Sequence, residues 1–549
     1  MVDVGHRPGQ RRWRTIAGAL VILLGARAFY LFVQHLRGVS LRYHAEAAAV
    51  WFVLAGVLLV LSLTRDREQG PQVDQPSLAL PATALWFAFV LTAFTLYWPT
   101  VGIGLLSDDF LLWDRAESWN LSPVSSGLFR PLPLLVWAML INAGATAVAL
   151  HMFNILLHGT NAYLTTRLCA GWLGAGTATT LEPFSFPRRA KQASIAGHSA
   201  QFLQPARYRR MRTALAGALM LALPLASEPV SWASGVFDLS MTALALLFVI
   251  RGRMYDDRVT LTQRVVFVVI GVCAMGAKET GVMACLLVLI DAWIRRKLDR
   301  RLLTDAVVVL AIAASFSAIR ILGAFGFKSP SLTRYRVQRS LFETFGGLSV
   351  PFHADVVQQL SWLTMIAVLI VIALFVWYFV AAGSRSDRFV FGGAAWIAIS
   401  VLPVFLFVSV GQDLQGARFL YLAGPAWSSL VAGLAISSRG VARRVTVVAI
   451  IVLAALWAVA VRVHLAPWSE AASLRDRVLE AARTDQQIQR CRTVALKKLP
   501  DNIRGAYVLR NGAPEALLRE AGLRVMDDAT PPCRFEWSEP AQAFIRGPE

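Results

Sequence analysis

Long apolar runs, separated by short polar and basic stretches, dominate the chain up to residue 463. A run of about 20 apolar residues is the length that an α-helix needs to cross the hydrocarbon core of a bilayer. The pattern therefore predicts an all-α, multi-pass integral membrane protein. The predicted spans are 15–36, 44–64, 79–98, 146–170, 213–229, 234–250, 264–278, 280–294, 304–323, 361–382, 390–410, 419–437 and 444–463.

Basic residues indicate how these helices are inserted. Lys and Arg gather in cytoplasmic loops of membrane proteins, and the blocks Arg11-Arg12, Arg295-Arg296-Lys297 and Arg443-Arg444 all adjoin apolar runs. The first run is too long for a cleaved signal peptide and contains Arg27, so we expect a retained anchor. A cytoplasmic N-terminus and an odd number of spans then place the C-terminus outside. The high Arg and Ala content suits a bacterial cytoplasmic membrane.

Composition supports this class. Hydrophobic residues make up 56% of the 549 residues and charged residues only 16%, against about 25% in soluble domains. The net charge of +20 is explained by basic loops at the membrane, and no nucleic-acid motif competes with that explanation. The basic stretch 182–212 lacks periodicity, so we expect a cytoplasmic loop lying on anionic lipid headgroups, with a specific partner site as the alternative.

The composition changes from His464 onward. Segments 468–495 and 514–524 have helical spacing, and residues 507–510 followed by Asn511-Gly512 predict a strand and a turn. We therefore expect a small soluble α/β domain outside the cell membrane. The predicted organisation is an N-terminal tail with three spans (1–98), a first extracytoplasmic loop (99–145), a transmembrane core (146–463) and the extracytoplasmic domain (464–549).

Two cysteines, Cys491 and Cys533, lie outside the predicted spans. In an oxidising extracytoplasmic compartment such a pair can form a disulfide, and we expect one here. The remaining cysteines lie inside the spans, where cysteine is most simply a small core residue.

The first extracytoplasmic loop contains adjacent carboxylates, in the sequence Ser107-Asp108-Asp109-Phe110. One interpretation is a helix cap, since Ser or Asp commonly precedes the first turn of a helix. The other is catalytic, because two carboxylates in a partly apolar setting titrate as a coupled pair. Such a group can act as a general base near neutral pH.

Arg130 follows in the sequence Phe129-Arg130-Pro131-Leu132. A guanidinium at the membrane surface can pair with the acids or hold a phosphate through two hydrogen bonds. Residues 130–145 are apolar but too few for a span, so we expect a helix lying on the outer face.

The next span carries four polar residues with spacings of three, four and three, which puts them on one helical face. The simple interpretation is hydrogen bonding between helices. His151 near the outer end could instead approach the acidic pair. Two histidines two turns apart do not readily share a metal ion, which argues against a metal site. The four residues are His151, Asn154, His158 and Asn161.

Further ionisable residues lie at the predicted outer ends of later spans. Charged groups at membrane depth are costly and indicate a functional site by default. Lys278-Glu279 could also be a mutual or cross-helix ion pair, and Arg418 could extend towards the interface or hold a lipid phosphate. With Asp108, Asp109 and Arg130, all of these residues fall at one face of the predicted topology. They are Glu228, Asp238, Lys278, Glu279, Asp413 and Arg418.

The order of these motifs resembles the GT-C superfamily of membrane glycosyltransferases, in particular the protein O-mannosyltransferase-like group and the transmembrane and tetratricopeptide-repeat proteins. Each motif is weak, whereas the ordered set, which covers about residues 100–440, is fairly specific. The motifs are Asp108-Asp109-Phe110, Phe129-Arg130-Pro131-Leu132, the run from His151 to His158, Ser227-Glu228-Pro229-Val230, Lys278-Glu279-Thr280-Gly281 and Arg418-Phe419-Leu420-Tyr421.

The resemblance implies a GT-C-like bundle of about 11–13 transmembrane helices and a sugar donor linked to a polyprenyl phosphate. It implies that Asp108, with Asp109 beside it, deprotonates the acceptor hydroxyl, and that Arg130, Arg418 and Lys278 hold the donor phosphate. His151, Glu228, Asp238, Glu279 and Tyr421 would line the substrate pocket. Some members of the superfamily use a divalent metal and others do not, so the resemblance leaves the metal open.

The chain departs from the family in three ways. Two extra spans precede the acidic loop, no tetratricopeptide repeats follow the membrane region, and the small C-terminal domain stands in their place. The acceptor, which could be a protein, glycan or lipid, is therefore undetermined by the resemblance. The alternative function is a transporter or flippase for a lipid-linked glycan, which would need charged groups at midplane depth.

Overall fold

The computed structural model describes residues 82–122, 130–174, 204–255, 259–322, 347–348, 350–381, 387–403, 410–437, 440–491, 493–526 and 533–546. The predicted spans 15–36 and 44–64 and the basic residues 182–203 lie outside these ranges.

A helix stands at each predicted span that falls within the described residues, because long apolar runs favour helix in or beside a membrane. The span 213–229 is interrupted at Pro224. The stretch 130–145 forms a short helix that begins with Pro131, a residue suited to the first helical position. The helices of this region are α1 (Ala82–Tyr97), α2 (Asp109–Glu117), α3 (Pro131–Asn142), α4 (Ala147–Gly174), α5 (Gln204–Ala222), α6 (Ser227–Ser231), α7 (Val236–Gly252), α8 (Leu261–Ala277), α9 (Ala284–Ile294), α10 (Arg300–Leu322), α11 (Ala354–Gln359), α12 (Ser361–Ala381), α13 (Asp387–Val401), α14 (Gly424–Ser437) and α15 (Gly440–His464).

Three helical segments in the described ranges are long and apolar enough to cross a membrane: Thr83–Gly102, Ala233–Gly252 and Arg444–Thr484. A fourth is added if Thr213–Ala222 and Pro224–Ser231, which meet at a bend of 51°, form one broken span. Pro224 lacks a backbone N–H, which accounts for a break at that position. By length and composition, the described helices are compatible with a membrane protein.

Helix α4 runs through the middle of the bundle and packs against α1, α5 and α7. Glycines permit close approach: a Cβ on Gly159 would lie 2.7 Å from the Cα of Val90, and a Cβ on Gly217 only 2.8 Å from the carbonyl oxygen of Ala162. Small residues at helix contacts are typical where packing, rather than exclusion of water, holds helices together.

One predicted loop is partly helical. Residues 204–212 of the basic stretch 182–212 belong to α5, so the prediction of a loop throughout was wrong there. Pro205 lies in the first turn, where proline is tolerated, and the following Ala, Arg and Met residues favour helix.

The C-terminal domain combines helices with a small sheet. Strand β1 pairs in parallel with β4 and β5, while β5 and β6 are antiparallel, giving the order β4-β1-β5-β6; β2 and β3 form a separate hairpin. Helix α15 runs into α16, so the two regions share a nearly continuous helix. The elements are α16 (Ala466–Thr484), α17 (Gln486–Gln489), β1 (Thr493–Lys497), β2 (Asn502–Ile503), β3 (Ala506–Tyr507), α18 (Ala513–Ala521), β4 (Arg524–Val525), β5 (Arg534–Ser538) and β6 (Ala543–Arg546).

Three predicted elements of this domain have different ends. The helix expected over 514–524 ends at Ala521, because Gly522 adopts a left-handed conformation and Arg524 begins β4. The helix expected to run to residue 495 ends at Thr484, because Asp485 adopts an extended backbone and caps the next turn. The strand expected over 507–510 ends at Tyr507. The chain bends at Val508, whose carbonyl accepts a hydrogen bond from the acidic loop at Ser107.

A disulfide joins Cys491 and Cys533, whose Cα atoms are 6.0 Å apart. It ties the chain just before β1 to the start of β5, beside a backbone hydrogen bond of 2.9 Å from Ala495 to the carbonyl of Cys533. The covalent link therefore secures the two central strands of the sheet.

Candidate functional site

A tight turn at Ser107 positions the two adjacent carboxylates. Ser107 has φ 49°, in the left-handed region that residues other than glycine rarely occupy. Its backbone N–H donates to the carbonyl of Val508 at 2.9 Å, which holds the turn against the C-terminal domain. Helix α2 begins directly afterwards at Asp109. Such a conformation costs of order 1–3 kcal/mol and is common at active sites.

Asp109 is fully buried. One oxygen accepts from the Leu106 N–H at 2.9 Å and the other from the Ser234 N–H at 2.8 Å, with the Ser234 hydroxyl as a further donor. Burial raises the pKa of Asp109 from 3.8 to about 7, against the opposing effect of these hydrogen bonds. The predicted catalytic role does not fit this position, because Asp109 instead joins the acidic loop to the segment before α7.

Asp108 is half-buried and faces the C-terminal domain. Its Oδ1 accepts from Asn511 Nδ2 at 2.7 Å and from the Ser107 hydroxyl at 3.1 Å. Although Asp108 occupies the N-cap position of α2, its side chain makes no capping hydrogen bond. Within the described residues nothing donates to Oδ2. The capping interpretation therefore does not account for this side chain, which keeps an oxygen available.

Arg418 interacts electrostatically with Asp108, more weakly than with Glu228. The guanidinium lies over the Trp232 ring, 4.3 Å from its centroid, with the Phe419 and Tyr507 rings at 5.1 and 5.8 Å. Arginine stacks well on aromatic faces because its charge is delocalised and weakly hydrated. The rings thus fix the position of the Arg418 cation.

Glu228 anchors this cation. Its Oε2 accepts from the Arg418 backbone N–H at 3.0 Å, and its Oε1 lies 3.6 Å from Arg418 Nε. The Tyr507 hydroxyl donates to the same Oε1 at 3.4 Å. Arg418 Nε is buried and makes no hydrogen bond within the described part of the chain, whereas the side chain as a whole is 21% exposed. A ligand would therefore reach the guanidinium at its Nη atoms.

Lys278 and Asp238 form a buried ion pair between the end of α8 and the first turn of α7. The side chains are 5% and 4% exposed, and the ammonium also lies 4.9 Å from the centroid of the Phe419 ring. The prediction that Lys278 holds a donor phosphate does not fit this burial, because a ligand would have to displace Asp238. Its charge nevertheless acts on Arg418 through the protein interior.

Arg130 and Glu279 form the other pair. Arg130 Nη2 lies 3.0 Å from Glu279 Oε2, and Nε donates to both carboxylate oxygens at 3.1–3.2 Å. The Arg130 guanidinium also lies 5.3 Å from the centroid of the Phe237 ring. Lys278 and Glu279 therefore do not pair with each other, and the expectation of a cross-helix ion pair holds for both.

The four polar residues of α4 are all buried and hydrogen-bond neighbouring segments. Asn154 donates to the Trp232 carbonyl at 2.8 Å. His158 Nε2 lies 3.0 Å from the Leu221 carbonyl, which leaves Nδ1 to accept from the Tyr421 hydroxyl at 2.7 Å. Asn161 also donates to Tyr421, at 3.3 Å. These contacts match the interpretation of hydrogen bonding between helices.

Two predicted pocket residues therefore lie elsewhere. The Tyr421 hydroxyl is used by α4 and makes no described hydrogen bond to the charged groups. His151 bonds neither aspartate: its Nε2 lies 2.9 Å from the Gly104 carbonyl oxygen, three residues before the turn. Its contribution is to brace the acidic loop. Asp413 accepts from the Gln415 N–H at 3.2 Å, within its own loop.

Sequence reasoning missed the contribution of the C-terminal domain. Arg475 is buried and Nη1 donates to the carbonyls of Ile103 and Leu105, at 2.9 and 2.5 Å. A signal was present, since Arg475 occupies the helical register of the buried residues Ala471 and Val478. Asn511 carried no comparable signal, because Asn-Gly is also the usual sequence of a plain turn.

No group of three or more His, Cys, Asp or Glu side chains in the described ranges could hold a metal ion. Comparison with protein-family models, curated proteins and solved structures found no match.

Proposed function

We propose that this protein is a membrane glycosyltransferase of the GT-C type. It transfers a hexose from a polyprenyl-phosphate donor to a hydroxyl of a protein, glycan or lipid acceptor outside the bacterial cytoplasmic membrane. In this proposal the chain forms a bundle of about 11–13 transmembrane helices. The observation that carries it is an electrostatic interaction between a half-exposed carboxylate with an available oxygen, Asp108, and a ring-stacked cation, Arg418.

Asp108 is the general base. The acceptor hydroxyl gives its proton to Asp108 Oδ2 as its oxygen attacks the anomeric carbon. The bond between that carbon and the phosphate oxygen breaks, and the polyprenyl phosphate leaves with the electron pair. A single displacement of this kind inverts the anomeric centre. General base catalysis contributes about 10²–10⁴-fold to such a step.

The two arginines stabilise the leaving phosphate. Side chains of Arg418 and Arg130 are 21% and 23% exposed, whereas Lys278 is only 5% exposed. The arginines can therefore hydrogen-bond an incoming phosphate while Lys278 acts at longer range. Fixed cations aimed at a developing negative charge are among the strongest contributions to catalysis.

Acidic partners hold these two arginines in position when no ligand is bound. Glu228 and Glu279 each accept from one of the two arginines. The donor phosphate would share or replace these carboxylates, so that on donor binding Arg130 exchanges its anionic partner Glu279 for the phosphate. This exchange favours a doubly hydrogen-bonded anion such as a phosphate over a neutral ligand.

The test is transfer of radiolabelled hexose from a panel of polyprenyl-phosphate hexoses in membranes. Wild type should transfer label from at least one donor, and Asp108→Asn should lose it by about 10²-fold or more at equal expression. Asp501→Asn, an exposed aspartate in the C-terminal domain, is the matched control and should keep full activity.

Absence of transfer from every donor would overturn the proposal. If, in addition, a labelled lipid-linked glycan crossed vesicle membranes equally well with wild type and Asp108→Asn, a flippase would be the better description.

A further inference from the structure

The C-terminal domain contacts the acidic loop at several points, including Arg475, Arg519 and the short segment 507–512. Tyr507 donates to Glu228, and the Val508 carbonyl accepts from Ser107. Gly512 packs directly on the turn, since a Cβ there would lie 2.0 Å from the Ser107 carbonyl oxygen. The segment therefore packs closely, through main-chain contacts, on the loop that carries Asp108.

Asn511 is the residue of this segment that touches the proposed base. Its Nδ2 donates to Asp108 Oδ1 at 2.7 Å, across a sequence separation of 403 residues. The contact is open to solvent on one side. Both donors to Asp108, Asn511 and Ser107, bond the same oxygen. No donor among the described residues bonds the other oxygen, Oδ2.

We propose that Asn511 is a positioning residue for Asp108, an inference that rests on the proposed glycosyltransferase function. The terminal torsion of an aspartate is broad, so an unrestrained carboxylate would sample orientations in which no oxygen faces the acceptor hydroxyl. The Asn511 amide holds Oδ1 and so presents Oδ2. Small errors in such an orientation are costly in rate.

The chemistry of the amide suits this role. Asparagine donates a hydrogen bond and carries no charge, so it orients the carboxylate without forming an ion pair with it. A lysine or arginine here would pair with the base, and an aspartate would repel it. Because Asn511 lies in the C-terminal domain, the base is fully oriented only while that domain is seated on the loop.

The experiment measures kcat and KM for the donor that wild type uses, with full-length enzyme in membranes. Asn511→Ala should lower kcat by about tenfold, the loss of one hydrogen bond to a charged group, with KM for the donor nearly unchanged. Asn511→Asp, which keeps the shape but loses the donor, should lower kcat at least as much. Asn511→Gln, which restores an amide, should recover part of the loss.

Asn502→Ala is the control, because Asn502 is an exposed asparagine of the same domain that also donates to an aspartate, Asp501, at 2.9 Å. It should match wild type. Thermal unfolding of each variant separates orientation from folding, and the exposed Asn511 variants should unfold at the same temperature as Asn502→Ala.

Active wild type with Asn511 variants that keep full kcat, or that change only KM, would overturn the positioning role and leave the proposed function standing. Inactive wild type would overturn the proposed function, and the assignment of Asn511 would fall with it.

Discussion

Asp108 and Asp109 are adjacent in the chain, but their carboxylates lie in opposite surroundings. Asp109 is fully buried and accepts from Leu106 and Ser234, whereas Asp108 is half-buried and accepts from Asn511. Burial raises the pKa of Asp109 to about 7, with Asp108 the smallest of the causes. The pair therefore divides into a structural carboxyl group and an accessible carboxylate.

The Asp109 carboxyl group makes stability depend on pH. Its pKa is about 7 when folded and 3.8 as the ordinary value, so the folded state holds the proton more tightly. That contribution is complete below about pH 4 and is lost as the pH rises through 7. Between pH 5 and 8 the loss is about 2–3 kcal/mol. We expect the unfolding temperature of purified protein to fall over this range.

Asp109→Asn is the matching variant, since it cannot ionise. It should be less stable at low pH, because an amide cannot accept on both sides, but its unfolding temperature should lack most of the fall between pH 5 and 8. An equal pH slope in wild type and variant would contradict the assignment of the proton to Asp109.

The Lys278–Asp238 pair should be sensitive to loss of one partner. Asp238→Asn leaves a buried ammonium without its carboxylate, a change that costs about 3–5 kcal/mol in buried pairs. The double variant Asp238→Leu, Lys278→Met should recover much of that stability in thermal unfolding. For comparison, Glu480→Gln breaks the exposed pair with Arg483 and should have almost no effect. Equal effects of the two single variants would contradict the buried pair.

Arg475 should hold the acidic loop in place through direct hydrogen bonds. It fills the turn at Gly104, where a Cβ would lie 3.0 Å from Arg475 Nη1, and bonds two carbonyls there. Arg475→Lys keeps the charge but not the fork of donors, so we expect transfer to fall by about tenfold or more. Arg477→Lys, which affects an exposed arginine bonded to Gln542, should retain wild-type transfer. Full transfer by Arg475→Lys would show that the loop is held without it.

Removing the disulfide should loosen the C-terminal domain. Cys491 and Cys533 are 42 residues apart, and closing a loop of that length stabilises the folded state by about 4 kcal/mol in the chain-entropy model. The double variant Cys491→Ser, Cys533→Ser should therefore make residues 464–549 more sensitive to limited proteolysis. It should also lower transfer. Cys273→Ser, at a half-buried free cysteine, is the control. Proteolysis as slow as in wild type would contradict this prediction.

The local sequence pattern was sufficient to predict much of the architecture. Apolar runs predicted where helices lie, because a long apolar stretch without internal breakers has few other stable conformations in or beside a membrane. The shift to amphipathic spacing after His464 identified the α/β domain, and Cys491 and Cys533 stood out as a pair. Element ends such as Thr484 and Tyr507 were less predictable, since they depend on caps and on contacts made elsewhere.

The tertiary structure decided which ionisable groups are partners. Asp238 bonds Lys278 across 40 residues, Arg130 bonds Glu279 across 149, and Asn511 bonds Asp108 across 403. Helical and strand periodicity describe which side of one element is apolar, but they hold no information on which other element will cover it. Burial of Asp109 and exposure of Asp108 follow from that packing. Identical neighbouring residues thus acquire different chemistry only when the chain is folded.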